Sequence, residues 1–386
     1  MTFRAASHIT LILLLLAPTI GWGKKLIKPT ERAVEHNNKG ALLIDQGRLM
    51  EAEFQLKTAI QLSPQYAEAY NNLGVIYKQR KDYDTALSYF EKAYGLNNKY
   101  IAPLSHMGAV HIARGHYAQA ITLLRKAVDK EPTFADALYN LGLAYLMKAR
   151  EAGDGTEKTK FYKEAEKHFT IATQLSPQHI DAHLNLGDLY VETGELEKAE
   201  IRYRLALEDN PQRADIYQQL ARLLQQRGKG GEAAHIAQQG SQIAQDQAAK
   251  AAFDRGVKAM EEGETLRSEG KNDPARVAFT QATAAFEEAT RLRPIYTEAF
   301  YGLGVARERL ANHKGARTAW EMTLKQHPHH PGALFNLGTL SMNQGRTSEG
   351  LVYLCEFLQY GGSAYPEQRA TVMKRLQEST LQCPSL

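Results

Sequence analysis

Residues 67–77 read AEAYNNLGVIY, and the same pattern returns twice along the chain. Residues 135–145 read ADALYNLGLAY, and residues 180–190 read IDAHLNLGDLY. A glycine recurs at intervals of 34 residues, at Gly40, Gly74, Gly108 and Gly142. A fixed period of this length is typical of a solenoid in which each repeat is one supersecondary unit. The sequence therefore predicts an all-α repeat protein.

The other positions of the repeat predict two antiparallel helices per copy. Twelve residues after Gly74 comes the small Ala86, and four residues later comes the large Phe90. Small residues let two helices approach, large residues fill the space between them, and a proline such as Pro132 ends the second helix. Because one helix pair cannot bury its apolar face alone, the copies must stack. We count nine copies, which begin near Ala33, Ala67, Ile101, Ala135, Ile180, Ala214, Ala249, Thr297 and Pro331.

Two copies are longer than the others, with insertions at residues 147–163 and 261–273. Periodic charges flank both insertions, which favours lengthened helices with a turn between them over irregular loops. Residues 225–250 are rich in Gln, Ala and Gly and lack the large residue and the proline of the repeat. We therefore predict a bend or domain boundary there, which divides a repeat array at 33–247 from a second array at 248–364.

The C-terminal segment, residues 365–386, reads as one amphipathic helix with Val372, Met373 and Leu376 on or near one face. Such a helix can cap the last repeat, because terminal repeats need a polar outer side. The chain has two cysteines, Cys355 and Cys383. In an oxidising compartment we expect them to form a disulfide that fixes the cap to the array, and two buried free thiols are the alternative.

The first 23 residues differ from the rest of the chain. Arg4 is followed by an apolar run at residues 9–20, and small residues precede Lys24. This is the layout of a secretory signal peptide, and the run is shorter than the roughly 20 apolar residues that span a bilayer. An uncleaved anchor is the alternative. We therefore predict a signal peptide at 1–23, a linker at 24–32 and an exported protein. The absence of an Asn-x-Ser/Thr sequon favours a bacterial periplasm.

Composition and motifs argue against nucleic-acid binding and against catalysis. Lys and Arg number 47 against 43 Asp and Glu, and the resulting charge of +4 is spread along the chain rather than gathered into a basic face. The sequence has no phosphate-binding loop, no His-Glu-x-x-His and no Gly-x-Ser-x-Gly motif. We predict no enzyme activity, no cofactor and no small-molecule substrate. A cluster at residues 327–331, HPHHP, could hold a metal, but its prolines favour a polar turn.

The sixth position of the first helix carries an amide in most copies. Along the chain it reads Asn38, Asn72, His106, Asn140, Asn185, Gln219, Gly302 and Asn336. A planar amide offers both a donor and an acceptor, so a row of them could bind the backbone of an extended peptide. The alternative is that each amide satisfies a local polar contact. At the fifth position, Tyr139 and Tyr301 could anchor ligand side chains or pack at the base of the groove.

The Leu-Gly pairs, the small and large positions and the closing prolines resemble the tetratricopeptide-repeat (TPR) superfamily from about Ala33 to Gly362. The resemblance implies a right-handed superhelical solenoid whose first helices line the concave side. The asparagine-bearing repeats are similar to the solenoid of O-linked GlcNAc transferases, but no glycosyltransferase domain follows, so that activity is not implied. The groove positions lack the Lys/Arg clamp of cytoplasmic TPR co-chaperones.

The chain also resembles exported TPR scaffolds that assist assembly of type IV pili, gliding-motility machinery or the outer membrane. The resemblance implies an adaptor whose concave groove holds an extended segment of a partner protein, with membrane contact only through partners or an uncleaved signal. Two other hypotheses remain open. The solenoid could be a structural spacer with an idle groove, or it could be the binding subunit of a split enzyme.

Overall fold

The computed structural model is helical throughout the part of the chain that it describes, without a β-strand in that part. The described residues are 28–153, 155–361, 364–378 and 382–383. The predicted signal peptide lies outside them. Within them, no helix is both long and apolar enough to cross a membrane. Contacts divide the chain into two units, residues 1–202 and 203–386, which are described separately.

The helices of the first unit are α1 (Glu31–Asp45), α2 (Leu49–Leu62), α3 (Ala67–Gln79), α4 (Tyr83–Leu96), α5 (Ala102–Ala113), α6 (Tyr117–Lys130), α7 (Ala135–Glu151), α8 (Thr156–Leu175) and α9 (Ile180–Glu192). Helix α10 (Leu196–Asp209) contains the division between the units. The second unit continues with α11 (Ala214–Gln226), α12 (Gly230–Ser268), α13 (Asn272–Leu292), α14 (Thr297–Arg309), α15 (His313–Gln326), α16 (Pro331–Asn343), α17 (Thr347–Tyr360) and α18 (Pro366–Glu378).

In chain order the described helices supply a first and a second helix for nine consecutive repeats, as the repeat count predicts. Helices α1 and α2 form the first pair, and α16 and α17 form the last. The long α12 serves two pairs, because its N-terminal part follows α11 and its C-terminal part precedes α13. Helix α1 begins at Glu31, two residues inside the predicted linker, because the Thr30 side chain accepts a hydrogen bond from Ala33 N and caps the helix. The all-α repeat architecture is confirmed.

Seven of the helix pairs close around a glycine. A Cβ atom on Gly74 would lie 2.5 Å from Phe90, and one on Gly108 would lie 2.4 Å from Leu124. These distances are shorter than real Cβ contacts, so glycine is required where the two helix axes approach most closely. The same arrangement recurs at Gly40 with Leu56, Gly142 with Phe169, Gly256 with Phe286, Gly304 with Trp320 and Gly338 with Leu354.

The turn from first to second helix uses a residue with left-handed backbone. Gly115 has φ 76°, and its N–H donates to Ile112 O. In the second and eighth repeats Lys81 and Ala311 take this place, with φ of 62° and 57°. A side chain at such φ costs energy, and glycine avoids that cost. Three residues join the two helices even where the preferred glycine is absent, and the fourth copy differs, with four residues between α7 and α8.

Helix α12 continues through the predicted domain boundary. The predicted division at 247/248 lies inside this helix, which runs unbroken for 39 residues. The stretch lacks a proline and lacks a glycine with positive φ between Gly230 and Ser268. Without either signal nothing ends the second helix of the sixth repeat, so it continues into the first helix of the seventh.

Both insertions are helical. The first lengthens α7 to 17 residues and α8 to 20, with a short turn between them. The second lengthens α12 and α13, which are joined by a turn at Gly270 with φ 78°. In this pair a second close approach, Gly263 on Phe279, lies seven residues from the first, Gly256 on Phe286. The insertion therefore adds about two helical turns per helix and repeats the same packing device.

Helix α18 covers the end of the last repeat. Val372 and Leu376 are buried with Leu354 and Phe357, whereas Met373 is 50% exposed. Residues 372 and 376 lie on one face of a helix, and residue 373 is rotated by about 100° from that face. Met373 therefore does not belong to the buried stripe in which the sequence analysis placed it. A disulfide joins Cys355 to Cys383, with an S–S distance of 2.00 Å.

Candidate functional site

The first helices of successive repeats lie side by side within each unit. In the first unit α1 contacts α3, α3 contacts α5, α5 contacts α7 and α7 contacts α9, and in the second unit α12 contacts α14. In the first unit the second helices α2, α4, α6 and α8 make no comparable contact with one another over the described residues. We call the surface where the first helices meet the first-helix face.

Sixth-position amides cross the junction between neighbouring first helices. Asn72 Nδ2 donates to Oδ1 of Asn37 at 3.0 Å, and Asn140 Nδ2 donates to Oγ of Ser105 at 3.0 Å. In both cases the acceptor is the fifth residue of the preceding repeat, 35 positions earlier. The acceptors are buried, and the two sixth-position amides are half-buried. In these copies the amide nitrogen therefore holds adjacent repeats together.

A tyrosine at the fifth position can also accept from the sixth-position amide of the next repeat. Asn185 Nδ2 donates to the Tyr139 hydroxyl at 3.2 Å and to Asp181 O at 2.8 Å. In the second unit Tyr301 and Asn336 line the same cavity. Tyr139 is thus the partner of the amide that follows it, and both tyrosines remain partly accessible. Burial raises the pKa of Tyr139 to about 12, so its hydroxyl stays neutral and keeps a proton to donate.

Three predicted residues do not take part in this arrangement. Asn38 is exposed, and no preceding described repeat provides it with a partner. His106 stacks on Phe90 with ring centroids 5.1 Å apart, and burial lowers its pKa to about 4. Gln219 has a buried Oε1 that lacks a hydrogen-bond partner among the described residues.

Histidine completes the junction wherever tyrosine is the fifth residue. The Tyr139 ring lies 4.5 Å from the His179 ring, and Tyr301 lies 4.7 Å from His330. Each histidine precedes the next first helix and caps it, because its Nδ1 accepts a hydrogen bond from a backbone N–H at 3.2 Å. His179 was not among the predicted site residues, and His330 was considered only as part of the cluster at residues 327–331. The signal is a tyrosine at the fifth position followed by a histidine just before the next repeat.

The cluster at residues 327–331 is occupied by packing contacts. His329 stacks on Tyr360 with centroids 3.7 Å apart, while His330 caps α16 and contacts Tyr301. Over the described residues, no group of three or more His, Cys, Asp or Glu side chains is arranged to hold a metal ion. The polar-turn interpretation therefore accounts for these histidines.

A cavity of about 530 Å³ opens on the first-helix face of the second unit. It lies between α14 and α16, and its lining includes Tyr301 and Asn336 from the predicted set. Arg309, Trp320 and Asn343 also line it, and the sequence analysis identified none of these three. They lie outside the fifth and sixth positions, so only the folded structure brings them beside the amide row.

Family models support the repeat assignment along most of the helical region. Models described as tetratricopeptide repeat match residues 31–99, 78–127 with 161–205, and 278–321, and one described as TPR repeat matches 108–148. Together they cover more than half of the chain. No curated protein matches the chain significantly.

Solved structures of TPR proteins are similar over part of the chain. Pseudomonas aeruginosa PilF is 21% identical over 55% of this chain and 89% of its own, with a TM-score of 0.45. MamA from Desulfovibrio magneticus RS-1 is 22% identical over 48% of this chain and 98% of its own, with a TM-score of 0.37. YrrB, described as a TPR protein with an unusual peptide-binding site, is 25% identical over 46% of this chain and 87% of its own, with a TM-score of 0.33.

At these TM-scores the three likenesses carry no argument about function. The family assignment rests instead on the matched repeat models and on the succession of helix pairs, whose first four copies begin 34 residues apart. The chain belongs to the tetratricopeptide-repeat superfamily.

Proposed function

We propose that this protein is a non-enzymatic scaffold that holds an extended segment of a partner protein in a concave groove formed by its first-helix face. The observation that carries the proposal is the row of half-buried amides at Asn72, Asn140 and Asn185 in the first unit, and Asn336 has the same repeat position and burial in the second unit. TPR arrays are in general protein-interaction modules, and curved solenoids use their concave surfaces for binding.

The junction contacts define what the row can offer to a ligand. Asn140 and Asn185 each use Nδ2 to bond the preceding repeat, which fixes the plane of the amide. An amide oxygen has two lone pairs, so Oδ1 of each residue can accept hydrogen bonds from the N–H groups of an extended backbone. A rigid row of acceptors binds main chain with little loss of entropy on either side.

We further propose that the protein acts in a bacterial periplasm. Residues 1–23 have the layout of a signal peptide, and the Cys355–Cys383 disulfide fits an oxidising compartment. Assembly of a pilus, a motility complex or the outer membrane is the process that the resemblance to exported TPR scaffolds favours. Under this proposal the protein meets the membrane through its partners.

One observation favours the spacer as the second candidate. The amide nitrogens are already used between repeats, so a row of this kind would also arise if its purpose were to stiffen the solenoid. A binding subunit of a split enzyme would share the groove with the adaptor and would differ by a catalytic chain encoded nearby.

Cross-linking in the native cell envelope, followed by mass spectrometry, separates adaptor from spacer. The test variant combines Asn72→Ala, Asn140→Ala and Asn185→Ala. We expect it to lose one partner that the wild type retains, while circular dichroism shows the same helix content. Survival of every cross-link would instead favour the spacer.

The structure supplies a matched control for this variant. Asn37→Ala with Ser105→Ala removes two of the same junction hydrogen bonds but leaves the sixth-position amides in place. Both replaced side chains are buried, so a ligand cannot reach them. We expect the control to keep its partner. Loss of the partner in test and control alike would mean that repeat stiffness, and not amide binding, maintains the complex.

A further inference from the structure

Several side chains that line the cavity between α14 and α16 can donate hydrogen bonds to a ligand. Asn343 and Gln344 lie at its edge on α16 and just after it, and Arg309 lies opposite on α14. Trp320 from α15 forms part of the wall. Tyr301 and Asn336 line it as well, so the cavity includes the sixth-position amide of the last repeat.

Two arginines outside the lining orient the amides. Arg375 donates from Nη2 to Oδ1 of Asn343 at 2.6 Å, and Arg317 donates from Nη2 to Oε1 of Gln344 at 3.4 Å. A guanidinium can only donate, so both amide oxygens are identified and both are engaged. Each amide keeps its NH₂ group for the cavity. Asn343 and Gln344 therefore face a ligand as donors.

Trp320 contributes its ring to the wall of the cavity. Its side chain is 2% exposed, and Nε1 is buried against Gly304, where an added Cβ would be 2.2 Å away, without a hydrogen-bond partner among the described residues. A ligand in the cavity therefore meets the ring of Trp320 and not its N–H.

The acidic groups near the cavity are paired with arginines. Glu308, the carboxylate of the lining, accepts from Arg309 Nη1 at 3.0 Å, and Glu264 is shared by Arg309 at 2.6 Å and Arg267 at 2.7 Å. Arg375 places a cationic group behind Asn343, whereas Arg317, behind Gln344, is itself paired with Glu349 at 2.6 Å. An acceptor that enters the cavity thus meets donors in front and the positive charge of Arg375 behind.

We propose that this cavity receives the carboxylate of an aspartate or glutamate side chain in the bound segment. The proposal rests on the groove-binding function proposed above and adds a chemical preference at one position of the segment. A carboxylate presents about four lone-pair sites, and charge-assisted hydrogen bonds are stronger than neutral ones. A neutral side chain would leave donors of the cavity unpaired.

The test uses two isosteric substitutions, Asn343→Asp and Gln344→Glu. Each keeps the oxygen that accepts from its arginine and exchanges the NH₂ donor for an acceptor. The full chain carries Trp22→Phe, so that Trp320 is its sole tryptophan and its fluorescence reports on the cavity. A random 12-residue peptide library is displayed on phage and selected on wild type, and the best peptide is synthesised with an amidated C-terminus, which excludes binding through a terminal carboxylate.

We expect the selected peptides to carry one recurrent acidic residue and the synthetic peptide to change Trp320 emission. Replacing that residue by its amide should weaken binding to wild type about tenfold, and should not weaken binding to Asn343→Asp or Gln344→Glu. Asn97→Asp adds the same charge at the C-cap of α4, far along the sequence, and should behave as wild type.

The outcomes distinguish this proposal from the one on which it rests. The cavity assignment would be overturned, and groove binding left intact, by either of two results. The selected peptides could lack a recurrent acidic residue, or the preference for that residue could be unchanged in both Asn343→Asp and Gln344→Glu. Failure of wild type to select any peptide would overturn groove binding, and the cavity assignment with it.

Discussion

Single positions of the repeat are constrained by close packing. Gly74 lies against the ring of Phe90, whereas Gly95 in α4 has open space where its Cβ would be. Both glycines are helical, so they share the same backbone preference and differ only in their surroundings. The pair therefore separates packing from helix propensity.

We expect Gly74→Ala to destabilise the protein by about 1–3 kcal/mol, because the added methyl forces the Phe90 ring from its place. Gly95→Ala should stabilise it by roughly 0.5–1 kcal/mol, because alanine favours the helix and meets no neighbour. Urea unfolding followed by circular dichroism measures both values. Equal effects of the two substitutions would show that the Gly74 contact is not a packing constraint.

His106 interrupts the amide row at a single residue. Asn71 precedes it by 35 positions, as Asn37 precedes Asn72 and Ser105 precedes Asn140. Asn71 is 3% exposed, and its Oδ1 lacks a partner among the described residues. The missing partner is the amide that the other copies carry at the sixth position.

His106→Asn should therefore stabilise the protein by about 1 kcal/mol at neutral pH, through a restored hydrogen bond to Asn71. It should also remove an acid sensitivity. Burial lowers the pKa of folded His106 to about 4, below the unfolded value near 6.5, so stability present above pH 6.5 is lost as pH falls towards 4. That loss is on the order of 2–3 kcal/mol.

Unfolding of wild type and variant in urea at pH 7.5, 5.5 and 4 isolates this contribution, since the other histidines are common to both. The stability difference between them should widen as pH falls. A constant difference would mean that His106 titrates normally in the folded protein.

At the scale of elements, the ends of helices follow from local signals and their absence. Thr30, His179 and His330 accept hydrogen bonds from the first turns of α1, α9 and α16. Where such signals are absent, as between Gly230 and Ser268, two helices merge into α12. The cap helix α18 is attached to the last repeat mainly by the buried side chains of Val372 and Leu376 and by the disulfide.

Reduction of the Cys355–Cys383 bond should release α18 locally. The bond joins residues 28 positions apart, and closing a loop of that length contributes about 3.5 kcal/mol. We expect amide hydrogen exchange to accelerate in residues 366–378 after reduction, with little change in α14 and α15. The double variant Cys355→Ser with Cys383→Ser, untreated, should match the reduced wild type. Unchanged exchange in α18 would show that apolar burial alone retains the cap.

At the scale of the whole molecule, the first and last repeats differ from the inner ones in what covers their outer faces. At the third and seventh repeat positions Ala69 and Leu73 are buried, whereas the first repeat has the exposed Glu35 and Lys39 there. Helix α18 covers the last repeat. Terminal repeats with polar outer faces are what a stacked array requires, because each inner repeat is covered by its neighbours.

A packing defect should consequently spread over adjacent repeats and no further. We expect Gly304→Ala, which forces a contact on Trp320, to raise hydrogen exchange in α13–α17 and to leave α1–α6 unchanged. Gly74→Ala should give the mirror result. Mass-spectrometric exchange on both variants tests this, and acceleration along the entire chain would contradict nearest-neighbour coupling.

Much of the fold was predictable because the residue types that determine helix packing recur in copy after copy of the repeat. The glycine and large-residue positions recur with a fixed spacing, so local pattern alone indicated nine helix pairs, the helical character of the insertions and a C-terminal cap. The predicted boundary at 247/248 lies instead within the continuous helix α12. A weakened repeat pattern looks the same in the sequence whether a helix breaks or continues.

The sequence by itself determined the repeat, the family and the amide row, since these depend on residue type at regular intervals. Only the tertiary structure decided that the amide nitrogens bond the preceding repeat, that His179 and His330 complete the tyrosine junctions, and that Arg309, Trp320, Asn343 and Gln344 share one cavity. These contacts join residues that lie tens of positions apart, and their geometry depends on how helices stack, which no local pattern encodes.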